Sequence, residues 1–152
     1  KWISSNNRKL IYMCKISLIT AICMAFLGIF GKELSYSSFE KWIDRTLSAN
    51  IPNNIEAFCI NIYEDGSGRY SIELIGAGSF DKENRDWACD EVFTNREEPL
   101  KWKSNKSWKE TQTCVEGVVR QYLINGRYAS VLLSKKGIGV GFVDGELVLL
   151  EK

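Results

Sequence analysis

The sequence contains no histidine. That removes the commonest general base, the commonest metal ligand and the usual charge switch near neutral pH. Proline is scarce, with two residues in 152, and glycine is ordinary at twelve. A disordered low-complexity chain and a collagen-like repeat are thereby excluded. There is no internal repeat, and no Ala-x-Ala cleavage site follows the one long apolar run. Cys59, Cys89 and Cys114 lie 30 and 25 residues apart, which is not a zinc spacing. Three is odd, so at least one of these thiols stays free without an outside partner. Buried reduced cysteines favour a reducing compartment.

What is present suits one folded domain. The chain is 45% hydrophobic and 26% charged, and a chain of ~150 residues can bury roughly two-thirds of its surface. The net charge of +1 hides an asymmetry. Residues 1–32 carry five bases and no acid, whereas residues 33–152 carry 15 bases and 19 acids. Within the latter, Glu56–Glu98 has eleven acids against four bases, and Lys101–Lys136 has eight bases against two acids. Such charges are either the solvated face of a domain or an acidic surface aimed at a basic partner.

Residues 1–32 differ from the rest. Ile16–Phe30 is uncharged, with bases on its N-terminal side, the layout of a signal peptide. Extended upstream it is interrupted by Lys15 and is marginal for a spanning helix, which needs ~20 apolar residues. Cys23 follows Ile22 rather than a small residue, unlike a lipobox cysteine. Three readings stand side by side: an uncleaved anchor or signal, an additional core helix, or non-native upstream sequence. An anchor would leave the basic end in the cytoplasm and the domain outside.

From Glu33 onward the pattern reads as helix, hairpin, loop, helix, hairpin. Phe39, Trp42, Ile43 and Leu47 recur at helical spacing, and Ser37 with Glu40 forms a capping box, predicting a helix over Ser38–Ala49. Ile55–Tyr63 and Arg69–Ile75 alternate with period two around Glu64–Gly68, predicting a hairpin with one fairly polar face. Gly76–Asn95 is loop-rich, with a short strand expected near Asp90–Phe93. Ser107 with Glu110 is a second capping box, and Val115, Val118, Val119, Tyr122 and Leu123 form the stripe of a helix closed by Asn125-Gly126. A short helical stretch over Tyr128–Leu133 follows. Gly139–Val143 and Glu146–Leu150, joined by Asp144-Gly145, predict a final hairpin with a two-residue turn. The expected fold is α+β: an antiparallel sheet of four to five strands with two main helices packed on one face.

Candidate chemistry is thin. Asp90 and Glu91 are adjacent, so a strand would point them to opposite faces. Asp81, Glu83 and Asp86 lack the glycine-punctuated loop of a calcium site. Gly76-Ala77-Gly78 lacks the rest of a dinucleotide fingerprint. Cys89 sits beside acid, which raises a thiol's pKa and blunts it. No catalytic residue, metal or cofactor is assigned. Lys101-Trp102-Lys103, Lys106, Trp108 and Lys109 interleave bases with aromatics, as single-stranded nucleic-acid sites do. Against the acidic remainder, packing of the tryptophans on the following helix is the preferred reading, and no nucleic-acid partner is expected.

Four stretches carry a resemblance: Ile72–Gly76, Ser79-Phe80-Asp81, Asp86–Phe93 and Gly139–Leu147. Together they resemble small bacterial immunity proteins of polymorphic (contact-dependent or secreted) toxin systems. The resemblance covers about Phe39–Leu150 and excludes the apolar N-terminal segment. It implies a cytoplasmic, non-catalytic inhibitor that binds one cognate toxin. A nuclease with a basic cleft suits an acidic binding face, through steered association and electrostatic specificity. The candidate partner-binding residues are Asp81, Glu83, Asp86, Glu97 and Glu98 as rim charges, Asp90 and Glu91 beside them, and Trp87, either an interface anchor or a core residue. Two rival readings are an exported or membrane-anchored accessory binding domain, should residues 10–31 form a real anchor, and a small carboxylate-dependent enzyme.

Overall fold

The computed structural model describes residues 33–150; the three readings of residues 1–32 lie outside the described residues. Six strands and three α-helices follow one another in an α+β arrangement. Helix α1 spans Tyr36–Leu47, strands β1 and β2 span Ala57–Glu64 and Arg69–Ala77, and a 3-10 turn spans Arg85–Cys89. Strands β3 (Glu91–Thr94) and β4 (Leu100–Lys103) precede helices α2 (Trp108–Asn125) and α3 (Ala129–Leu133), and β5 (Gly137–Phe142) and β6 (Val148–Leu149) end the fold.

The sheet runs β3-β2-β1-β5-β6, with β4 also pairing β2. It is mixed rather than purely antiparallel, because β1 and β5 run parallel from Ala57↔Gly137 to Ile62↔Phe142. A parallel pair needs a long crossover, and α2 and α3 lie in the segment that makes it. β3 and β4 share one edge of β2, pairing its C-terminal and N-terminal halves respectively. Asn95 fills the gap between them. Its backbone N–H donates to Leu74 O at 3.2 Å and its Oδ1 accepts from Leu74 N at 2.8 Å. Its Nδ2 donates to Thr46 on α1 at 2.8 Å, tying the sheet edge to a helix.

The two main helices cover one face of the sheet. Phe58, Ile60 and Ile62 of β1, Tyr70, Ile72 and Leu74 of β2, and Ile138, Val140 and Phe142 of β5 alternate toward them. Phe39, Trp42, Ile43 and Leu47 of α1 and Val115, Val119 and Tyr122 of α2 complete this core. Each such side chain contributes roughly 1.5–3 kcal/mol by leaving water. Phe39 packs edge-on against Tyr122, centroids 5.9 Å apart. The Tyr122 hydroxyl donates to Asp44 and accepts from the Tyr128 N–H, so one phenol joins both helices to the start of α3.

Three local expectations shift. Helix α1 starts two residues early, because Ser35 and Ser38 cap each other reciprocally; Glu40, expected to close the box, instead accepts from the Tyr36 hydroxyl. The Ser107–Glu110 box forms as expected, and Gly126 does cap α2. Its backbone is extended, however, and a Cβ there would meet the Tyr122 ring at 2.5 Å, so close approach rather than a left-handed turn requires glycine. The final hairpin does not close in two residues. It pairs Val140 with Val148, leaving residues 143–147 as the connection. The returning chain crosses over Gly141, where a Cβ would lie 2.8 Å from Glu146 O, and glycine there permits the overlap.

Candidate functional site

The second face of the sheet divides into two halves. One half is covered by the segment after β2, where Ala57, Cys59, Ile75, Ala77 and Trp87 form a smaller core with Phe80, Leu147 and Leu149 packed against it. This covering segment holds the acidic residues and is firmly built. Gly78 N donates to Asp90 O at 2.9 Å, closing its two ends. Asp81 Oδ1 accepts from Glu83 N at 2.8 Å, and Asn84 Oδ1 caps the 3-10 turn by accepting from Asp86 N at 3.0 Å. Trp87, 4% exposed, tilts against Phe80 with centroids 5.3 Å apart. The Phe80 ring in turn lies on β5 where Gly137 leaves room, since a Cβ there would sit 2.0 Å from the ring. Trp87 is therefore already buried by its own chain, and its Nε1 has no hydrogen-bond partner.

The outward side chains follow from this frame. Asp81, Glu83, Asp86 and Asp90 are exposed and form no ion pair among the described residues. Glu97 is likewise exposed and unpaired at the β3–β4 turn. Its neighbour Glu98 turns toward α1, pairing with Arg45 at 3.3 Å while its carbonyl accepts from Trp42 Nε1 at 2.9 Å. Glu91 pairs with Arg96 at 2.9 Å. The eight residues singled out from the sequence thus separate into four carboxylates without an ion pair on one loop, a fifth at the next turn, two ion-paired carboxylates and one core tryptophan.

Sequence reasoning missed the polar cluster on the other half of this face. Glu73 is 2% exposed. Its carboxylate accepts from the Tyr63 hydroxyl and from Arg96 Nε at 3.0 Å, with Arg96 Nη2 at 3.4 Å. Arg96 bridges Glu73 and Glu91, and those two carboxylates hold its guanidinium more firmly charged than usual. Burial, then the bond to Glu73, pushes the Tyr63 phenol up to about 12. Burial, then the Glu73 charge, raises the Cys59 thiol to about 12 as well. Glu73 is a locked structural carboxylate, its oxygens occupied by fixed donors. The sequence signals were the polar alternation of Arg69, Ser71 and Glu73 along β2 and the single base Arg96 between Asp90 and Glu98.

The two tryptophans of the basic and aromatic stretch pack against sheet residues rather than onto the following helix, and Trp108, the first residue of α2, stays 46% exposed. Trp102 stacks on Tyr70 at 5.7 Å and is 7% exposed, and Trp108 stacks on Phe142 at 4.6 Å and donates to Glu64. Among the described residues no group of three acid or thiol side chains is placed to hold a metal ion. No helix among them is long and apolar enough to cross a membrane. No protein-family model matches the chain, and neither a curated protein nor a solved structure matches it significantly.

Proposed function

We propose that this protein is a non-catalytic inhibitor that binds and neutralises a cognate bacterial toxin, working in the cytoplasm. The observation that carries the reading is the set Asp81, Glu83, Asp86 and Asp90, exposed and unpaired on a loop pinned by Trp87, Phe80 and internal hydrogen bonds. Unpaired carboxylates on a mobile loop would cost ordering entropy on binding. Held in place beforehand, they lose little, and most of their Coulomb attraction remains for the complex. Their field speeds encounter with a basic cleft, such as that of a nuclease, and repels acidic competitors. Glu97 extends the rim. Glu91 and Glu98, already paired, contribute less. The resemblance to immunity proteins of polymorphic toxin systems supports the same reading.

The test is co-expression of the full chain with the toxin candidate encoded by the gene immediately upstream. Growth is expected with the native chain. It is expected to fail when Asp81, Asp86, Asp90 and Glu97 are all reversed to lysine, with the variant still folded by circular dichroism. Cell death in the presence of the native chain would sink the proposal.

A further inference from the structure

We propose that the cleft between the Phe80–Arg85 loop and the β5–β6 hairpin is a binding site for a small amphipathic anion carrying a single negative charge. This inference is independent of the toxin reading, since none of the four free carboxylates lines the cleft. The cleft has a volume of about 580 Å³, within the roughly 300–1,000 Å³ range of small-molecule sites. Phe80 and Leu149 give it an apolar wall, and Lys82, Arg85, Lys136 and Glu146 stand around it.

The charge arrangement carries the argument. In sequence, Lys82 lies between Asp81 and Glu83, and Arg85 precedes Asp86. The fold separates them: both bases line the cleft, while Asp81, Glu83 and Asp86 do not. Neither Lys82 nor Arg85 forms an ion pair among the described residues. Lys136 is held by Glu56 at 2.7 Å. Among the charged residues lining the cleft, with Glu56 that holds Lys136, three bases stand against Glu56 and Glu146 beside an apolar wall. That balance fits a monoanionic head, such as a carboxylate or sulfonate, on an apolar body that lies along Phe80 and Leu149. A polyanion would meet Glu146. A neutral apolar ligand would leave Lys82 and Arg85 unpaired.

The probe is 8-anilino-1-naphthalenesulfonate, a monoanion with an aromatic body, added to the full-length folded chain. Saturable fluorescence enhancement is expected, with displacement by decanoate and not by decanol. Reversing Lys82 and Arg85 to glutamate together is expected to weaken binding about tenfold or more, because charge-assisted hydrogen bonds are lost. Reversing Lys101 and Lys103 on β4, an equal change of charge outside the cleft, is expected to leave binding unchanged. Near-ultraviolet circular dichroism of each variant establishes that it is folded. Absence of saturable binding overturns the proposal. So does equal weakening by the two double variants, equal displacement by decanol, or binding only to phosphatidylglycerol vesicles, which would make the cleft a membrane contact.

Discussion

Replacing Gly137 by alanine places a methyl group where the Phe80 ring lies, 2.0 Å from its nearest carbon and 2.6 and 2.7 Å from the next two. Alanine for glycine at a position with ordinary backbone angles normally stabilises a protein by about 0.4–1 kcal/mol, because the unfolded chain loses freedom. Here Trp87 packs against one side of the ring and restricts its movement. Overpacking of this kind costs about 1–3 kcal/mol, and loosening the aromatic pair adds about 0.5–1.5 kcal/mol. At the lower ends of those two ranges, set against the backbone gain, the expected net loss is roughly 0.5–1 kcal/mol. Urea unfolding measures it. The loss should also appear locally, as faster hydrogen exchange at Gly78, whose amide closes the acidic loop on the Asp90 carbonyl, and at Asp90, whose amide donates to the Trp87 carbonyl. In a Phe80→Ala background the same substitution should revert to neutral or stabilising, a coupling of about 1.5–3 kcal/mol. Additive effects, or a stabilised Gly137→Ala single variant, would refute the claim that this glycine exists to seat Phe80.

Other consequences are as direct. Tyr122→Phe removes the hydroxyl that serves Asp44 and the Tyr128 N–H; urea unfolding should show a loss of about 1–3 kcal/mol. Ser107→Ala should cost about 1 kcal/mol by uncapping α2. Hydrogen bonds from Ser107 hold the Glu110 carboxyl below its ordinary value. That stabilisation is complete above the ordinary carboxylate range and is lost as pH falls through the lowered folded value. The gap between native and Ser107→Ala proteins should therefore narrow under acid titration, and a gap constant with pH would contradict the box. Burial holds the Cys59 thiol near 12, so it is protonated at pH 8 and enclosed. Ellman's reagent should modify exposed Cys89 in the folded protein and reach Cys59 only on unfolding.

Local signals in the sequence carried the fold a long way. The stripe Phe39, Trp42, Ile43, Leu47 and the period-two alternation of Phe58, Ile60 and Ile62 each marked a buried face, and those faces meet in one core. What escaped was non-local. The parallel pairing of β1 with β5 has no signature in either strand, and Gly137, Gly139 and Gly141 on β5 are spaced like turn residues although each is overlain by a neighbour. Strand β4 is too short and too basic to read as one. Asn95 looks like an ordinary loop residue until its side chain completes the β2 ladder. The acidic segment was legible as exposed charge. Which acids are free was not, because that depends on where Arg45 and Arg96 reach in three dimensions. The same holds for Lys82 and Arg85, which sequence averages into the surrounding acid and the fold sets apart.

The most direct measurement is the association rate constant of the full chain with the purified toxin candidate encoded by the gene immediately upstream, at low and high salt. The native chain should associate fast at low salt and slow steeply as salt rises. The variant with Asp81, Asp86, Asp90 and Glu97 reversed to lysine should associate at least about tenfold more slowly at low salt, with a flattened salt dependence. Equal rates and equal salt dependence for the two proteins, or no association at all, would contradict the account.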